Sequence, residues 1–123
     1  MKTIALIACV KDKLDHPAPA KDLYQGNLFN NWLKDVKDRN ISEYYILSGK
    51  YGLLLPNEVI EPYDLNLGEQ SLEFQSAWSE NVLIRLNMLV NLADVHVVIY
   101  TNPVYYRDLI HKFESFEIPF EID

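Results

Sequence analysis

The chain carries a single cysteine, Cys9, among 123 residues. It cannot close an intrachain disulfide or build a four-cysteine zinc site, and a reducing, cytoplasmic compartment is the simplest expectation. No apolar run approaches the ~20 residues that a spanning helix needs. The apolar N-terminus is too short and too weakly basic for a secretory leader, so no membrane partner is expected. Glycine is scarce, at four residues. Neither G-x-G-x-x-G nor G-x-x-x-x-G-K-[ST] occurs, so both standard phosphate cradles are missing. The three histidines, His16, His96 and His111, form no H-x-x-x-H or H-E-x-x-H pattern, and no metal or cofactor is expected. Basic residues are the minority, 11 against 18 acidic, for a net charge of -7. Such a surface repels phosphate backbones and disfavours nucleic acid as a partner.

What is present is apolar content of 49%, enough at this length for one domain, residues 1–123, with a sizeable core. Charge is unevenly distributed. Residues 1–21 hold Lys2, Lys11, Lys13 and Lys21 against Asp12 and Asp15, whereas Glu114, Glu117, Glu121 and Asp123 close the chain with no base among them. A local cationic patch on an acidic molecule suits a small anionic ligand better than a polymer.

The run 3–9 is continuously apolar, which predicts a strand buried on both faces. A proline-containing loop, 10–24, leads to a helix over 25–39, where Leu28, Phe29, Trp32, Leu33 and Val36 recur at helical spacing. Asn40 suits its end. A strand over 43–48 follows, then a short strand or turn over 51–55 and a long ordered loop over 56–68. Ser71 caps a long helix to residue 91, with Phe74, Ala77, Trp78, Val82, Leu86, Leu89 and Val90 as its buried stripe. A third apolar strand covers 94–101, Pro103 opens a helix to about residue 113, and alternating Phe116, Ile118, Phe120 and Ile122 predict a half-exposed edge strand. The order β-α-β-loop-α-β-α-β argues for a three-layer α/β fold. Its mostly parallel sheet has four to five strands, with helices on both faces. The turns 9–13, 48–52 and 100–103 then share the carboxyl edge, where open α/β sheets bind ligands.

Those turns carry the chemistry. Lys11 and Lys13 can both reach an anion beyond the first strand. Cys9 beside them is a ligand contact, a nucleophile or a small buried residue. In Ser48-Gly49-Lys50-Tyr51-Gly52, Ser48 and Lys50 offer a hydroxyl and a cation for catalysis, and Tyr51 a stacking ring. The alternative is a tight turn with a solvated lysine. Asp64, next to Tyr63 and near Glu61, can serve as a general base or orient a sugar hydroxyl, or it can cap a helix or pair with Lys50. Tyr24 and Gly26 precede the first helix, whose N-terminus favours an anion. Thr101 and Asn102 can hydrogen-bond a base or ribose, and Tyr105, Tyr106 and Arg107 can clamp a ligand. The expectation is that three lysines (Lys11, Lys13, Lys50), a thiol and a hydroxyl converge on one crevice.

Four blocks occur in order: Cys9-x-Lys11-x-Lys13; His16-Pro17-Ala18-Pro19-Ala20-Lys21-Asp22-Leu23-Tyr24 with Gly26-x-Leu28-Phe29; Tyr45-Ile46-Leu47-Ser48-Gly49-Lys50-Tyr51-Gly52-Leu53; and Val59-Ile60-x-Pro62-Tyr63-Asp64. Over residues 3–67 this set resembles an uncharacterised bacterial and phage domain family, distantly similar to YaaA-type peroxide-stress proteins and to uracil-glycosylase-like domains. Val10 stands where the family reads Gly or Ser, Gly49 stands where it reads Ala, and many of its members continue past the last strand. The resemblance implies a nucleotide or nucleobase ligand more strongly than any one reaction. The resulting expectation is a nucleotide- or nucleobase-handling protein, with an enzyme acting on a nucleoside or nucleotide bond as the first form. The alternatives are a non-catalytic nucleotide-sensing or interaction module and a nucleic-acid-binding stress protein. The sequence assigns no oligomeric state.

Overall fold

In the computed structural model, which describes residues 1–102 and 106–123, the apolar N-terminal run becomes the central strand β1 (Lys2–Ala8). Every residue from Ile4 to Ala8 is buried. The chain continues through β2 (Ala18–Pro19), α1 (Ala20–Leu23), α2 (Asn27–Asp38), β3 (Tyr44–Ser48), β4 (Gly52–Leu54) and β5 (Val59–Ile60). It then forms a 3-10 turn (Leu67–Glu69), α3 (Leu72–Leu89), β6 (Val95–Tyr100), α4 (Arg107–Ser115) and β7 (Phe120–Ile122). The main sheet has the order β4-β3-β1-β6-β7. Strands β3, β1, β6 and β7 are parallel, and β4 is antiparallel to β3. Ala5 lies opposite Tyr44 on one side and Val98 on the other, which sets the central register.

Side chains alternate across β1, so its two faces feed two cores. Ile4 and Leu6 pack with Trp78, Val82 and Leu86 of α3 and with Leu109 and Phe113 of α4. Ala5 and Ile7 pack with Phe29 and Val36 of α2. This is the expected three-layer arrangement. Burying a side chain of that size is worth about 1.5–3 kcal/mol, so both helix layers are needed to cover a sheet without a polar face.

Gly26 precedes α2 at φ 115°, a conformation that side chains rarely adopt. Asn40 follows α2 at φ 57°, matching its predicted place at the helix end. Ser71 Oγ accepts the Phe74 N–H at 3.1 Å and caps α3. The buried residues of α3 are Trp78, Ser79, Val82, Leu83 and Leu86. Phe74, Ala77 and Leu89 of the predicted stripe are exposed instead. Apolar residues surround this helix, with Leu72, Ile84 and Met88 also exposed, so periodicity alone does not single out its buried face.

Three expectations change in detail. The short strand or turn expected over 51–55 is the strand β4, which folds back antiparallel on β3 so that residues 48–52 form a hairpin turn, with Ser48 opposite Gly52. The predicted loop 56–68 contains β5, which pairs with β2 (Ala18 opposite Ile60), and the 3-10 turn. The last strand is shorter than predicted and runs parallel beside β6 at the sheet edge. The predicted helix opening at Pro103 lies outside the described residues, as does Tyr105. Among the described residues no helix is long and apolar enough to cross a membrane.

The topology marks one place. From β1 the chain crosses by α2 to β3 on one side of β1. From β6 it crosses by α4, on the opposite face of the sheet, to β7 on the other side. The winding reverses between β1 and β6, and the carboxyl ends of these two strands flank the switch point at which doubly wound sheets bind ligands.

Candidate functional site

A cavity of about 600 Å³ opens at this switch point. Ala8 and Cys9 reach it from the end of β1, and Thr101 and Asn102 from the end of β6. Lys11 and Lys13 line it from the following loop, Leu28 and Trp32 from α2, and Asp64 to Leu67 with Glu69 from the long loop. Tyr106 completes the wall.

Local pairing fixes the lysine loop. The Cys9 N–H donates to Leu47 O at 2.9 Å, which carries the β1–β3 ladder one residue further. The loop then docks against residues 23–25. Leu14 N–H donates to Leu23 O at 2.9 Å, Gln25 N–H donates to Asp12 O at 2.8 Å, and Lys13 bridges Tyr24. Lys11 and Lys13, two residues apart, therefore face the same space. Lys13 Nζ donates to Lys11 O at 3.0 Å. It sits 4.5 Å from the Tyr63 ring centroid and 5.7 Å from that of Tyr24, in cation–π range of both. Partial burial pushes its pKa below the ordinary lysine value, opposed by Cys9, Asp64 and Asp12. Among the described residues, no ion pair uses Lys11 or Lys13.

Behind Lys13 lies a chain of buried hydroxyls. Ser48 Oγ donates to Tyr63 Oη at 2.8 Å, and the Tyr63 and Tyr24 hydroxyls are 2.7 Å apart. Ser48 Oγ also accepts the Tyr51 N–H at 3.0 Å. Trp78 Nε1 donates to Ser48 O at 2.8 Å, tying this turn to α3. Burial raises the pKa of Tyr24 and Tyr63 above the usual tyrosine value. Both phenols therefore stay protonated at neutral pH. Tyr106 is raised by burial in the same way, and its hydroxyl is 3.7 Å from Cys9 Sγ.

Of the residues expected to form the site, Cys9, Lys11, Lys13, Asp64 and Asn102 line the cavity. Cys9 is half-buried at its wall. Tyr24 and Tyr63 stand behind Lys13 rather than on the cavity surface. The expected convergence of three lysines and a hydroxyl does not occur. Ser48 is fully buried within the hydroxyl chain, and its O–H is donated to Tyr63. Lys50 is exposed outside the cavity, its Nζ 5.2 Å from the Tyr51 ring centroid. Tyr51 lies edge-on to Tyr63 at 5.5 Å and also lies outside. The reason is topological: their turn belongs to the β3–β4 hairpin, one strand away from the β1–β6 crevice. Gly26 does not line the cavity either. A Cβ there would meet nothing within 4 Å, so its backbone angle explains the glycine.

Sequence reasoning missed Trp32, Asn66 and Glu69 as cavity residues. Trp32 belongs to the apolar stripe of α2 and packs half-buried against both cores, so its spacing alone reads as core. Asn66 and Glu69 fall in or just beyond the loop whose length was the available signal. That loop is held down at its other end. Glu58 Oε1 accepts from Arg85 and from the Leu55 N–H, and Ala20 N–H donates to Glu58 O at 2.8 Å. Among the described residues, no cluster of three or more His, Cys, Asp or Glu could hold a metal ion.

Comparison with known proteins extends the sequence resemblance. A family described as "Family of unknown function (DUF6884)" matches residues 4–122. The chain is also similar to the UPF0246 protein lpl1317 of Legionella pneumophila strain Lens and to lpp1320 of strain Paris. Each is 31% identical over 87 residues, 63% of this chain and 34% of the relative. These belong to the YaaA-type group that the sequence motifs resemble. The chain spans about a third of the length of these curated relatives.

Proposed function

The chain belongs to the DUF6884 family, a family of unknown function, and from its cavity we propose that it binds a nucleotide or nucleobase at the switch point of its sheet. The observation that carries this reading is the pairing of Lys11 and Lys13 with the flat side chains Trp32 and Tyr106 in one cavity of about 600 Å³. That volume lies within the roughly 300–1,000 Å³ of small-ligand sites. In the enzymatic form, the two ammonium groups stabilise negative charge that develops on a phosphate or a departing base. Asp64 orients a ribose hydroxyl or a water molecule for attack on the nucleoside bond.

The non-catalytic form is favoured by a specific observation. Of Ser48, Lys50 and Asp64, the residues the sequence offers for chemistry, only Asp64 lines the cavity. A nucleotide sensor needs the same pocket and no acid–base pair. Nucleic acid is the weaker partner, because a net charge of -7 opposes phosphate backbones.

Isothermal titration with bases, nucleosides and nucleotides, followed by chromatography of the recovered ligand, tests the reading. Saturable binding that Lys13→Ala abolishes supports it. Unchanged recovered ligand marks a sensor, and released base or cleaved nucleotide marks an enzyme. If no base, nucleoside or nucleotide binds the folded protein, the reading fails.

A further inference from the structure

We infer that the ligand of this cavity is a nucleoside monophosphate, with its one phosphate against Lys11 and Lys13 and its ribose or base donors on Asp64 and Glu69. This rests on the reading of the cavity as a nucleotide site and narrows it by charge. The ionised groups among the described lining residues are two lysines, Lys11 and Lys13, and two carboxylates, Asp64 and Glu69. A phosphate monoester carries about -1.5 to -2 at neutral pH, which two ammonium groups can balance. A second or third phosphate adds charge with no further cation in the lining to meet it, and it meets two carboxylates instead. The molecule around the cavity adds to the opposition, with its net charge of -7.

The carboxylates argue for the rest of the ligand as well. Asp64 and Glu69 accept hydrogen bonds and donate none when ionised. Inorganic phosphate offers them little, whereas a ribose diol or an exocyclic amine supplies the donors they lack. Asn66, Thr101 and Asn102 can both donate and accept. The flat Trp32 and Tyr106 side chains favour a base over a plain sugar phosphate. The same phosphate-ribose-base unit also forms the 5′ end of a nucleic acid, so the test separates the free ligand from the polymer.

The test is isothermal titration of the whole chain with adenosine, guanosine, cytidine and uridine. Their 5′-mono- and triphosphates, ribose 5-phosphate, inorganic phosphate and a 5′-phosphorylated tetranucleotide complete the set. At least one monophosphate is expected to bind about tenfold or more tighter than its nucleoside, its triphosphate, ribose 5-phosphate and the tetranucleotide. Lys11→Ala, an exposed substitution, is expected to bring that monophosphate down to the affinity of its nucleoside. Glu69→Gln is expected to raise triphosphate affinity relative to monophosphate. A nucleoside that binds as tightly as its monophosphate, with Lys11→Ala silent, overturns the inference and leaves the nucleobase reading standing. A triphosphate or the tetranucleotide binding tightest also overturns it. If no base-containing compound binds, both the inference and the reading beneath it fall.

Discussion

Replacing Tyr63 by Phe deletes one oxygen at the centre of the hydroxyl chain and keeps the ring that faces Lys13. Tyr63 Oη accepts from Ser48 at 2.8 Å and is hydrogen-bonded to the Tyr24 hydroxyl at 2.7 Å. Its partners are almost fully buried, at 0% and 1% exposure. Each neutral hydrogen bond contributes about 1 kcal/mol net, and a buried hydroxyl left without a partner costs about 1–3 kcal/mol more. Ser48 keeps the Tyr51 N–H as donor, which limits the damage on that side. The expected loss is about 2–3 kcal/mol. Urea unfolding followed by far-UV circular dichroism should show a lower midpoint with an unchanged slope. Ser48→Ala removes the other end of the same bond. The double variant should therefore lose measurably less than the sum of the single losses. Ligand affinity should change little in Tyr63→Phe and fall in Tyr63→Leu, because only the latter removes the ring beneath the ammonium. A loss below about 0.5 kcal/mol for Tyr63→Phe, or strict additivity with Ser48→Ala, would refute the view that these hydroxyls hold the site together.

Four further outcomes follow from the same geometry. Gly26→Ala should cost about 1–2 kcal/mol, because φ 115° strains any side chain while nothing nearby obstructs the Cβ; a neutral result in thermal melts would contradict that. Burial raises the Tyr24 and Tyr63 pKa values in the folded state, so above about pH 10 the unfolded chain releases protons that the folded one retains. Stability contributed by these groups is full below the unfolded tyrosine pKa and is lost as pH rises toward the folded values; Tyr63→Phe should flatten that alkaline limb. Ser71→Ala should destabilise by about 1 kcal/mol through loss of the α3 cap, read as a lower urea midpoint. Lys50→Ala should leave ligand affinity within about twofold of the parent, in contrast to Lys11→Ala; a large loss would put Lys50 in the site after all.

The continuous apolar runs of β1 and β6, the helical stripe of α2 and the cap at Ser71 were readable because each depends on residues close in the chain. The same holds for the two-sided burial of the sheet, since a strand without a polar face requires a layer on either side. The buried face of α3 was less readable, because its apolar residues point in more than one direction. The cavity was legible as an edge and as the Lys11–Lys13 loop, and less so as a list of side chains.

Strand order decided which turns share that edge in space. The Ser48 to Gly52 turn resembles a ligand elbow in sequence, yet β4 folds back antiparallel and holds it one strand away from the crevice. Trp32, Asn66 and Glu69 entered the cavity because α2 begins, and the loop before α3 passes, above the same switch point. Local composition therefore determined most of the elements and the two-sided burial of the sheet, though not the buried face of α3. That Lys11, Lys13, Asp64 and Glu69 line one cavity depended on contacts between residues far apart in the chain, such as Ala18 with Ile60 and Tyr24 with Tyr63, whose energies come from long-range packing that short-range patterns do not encode.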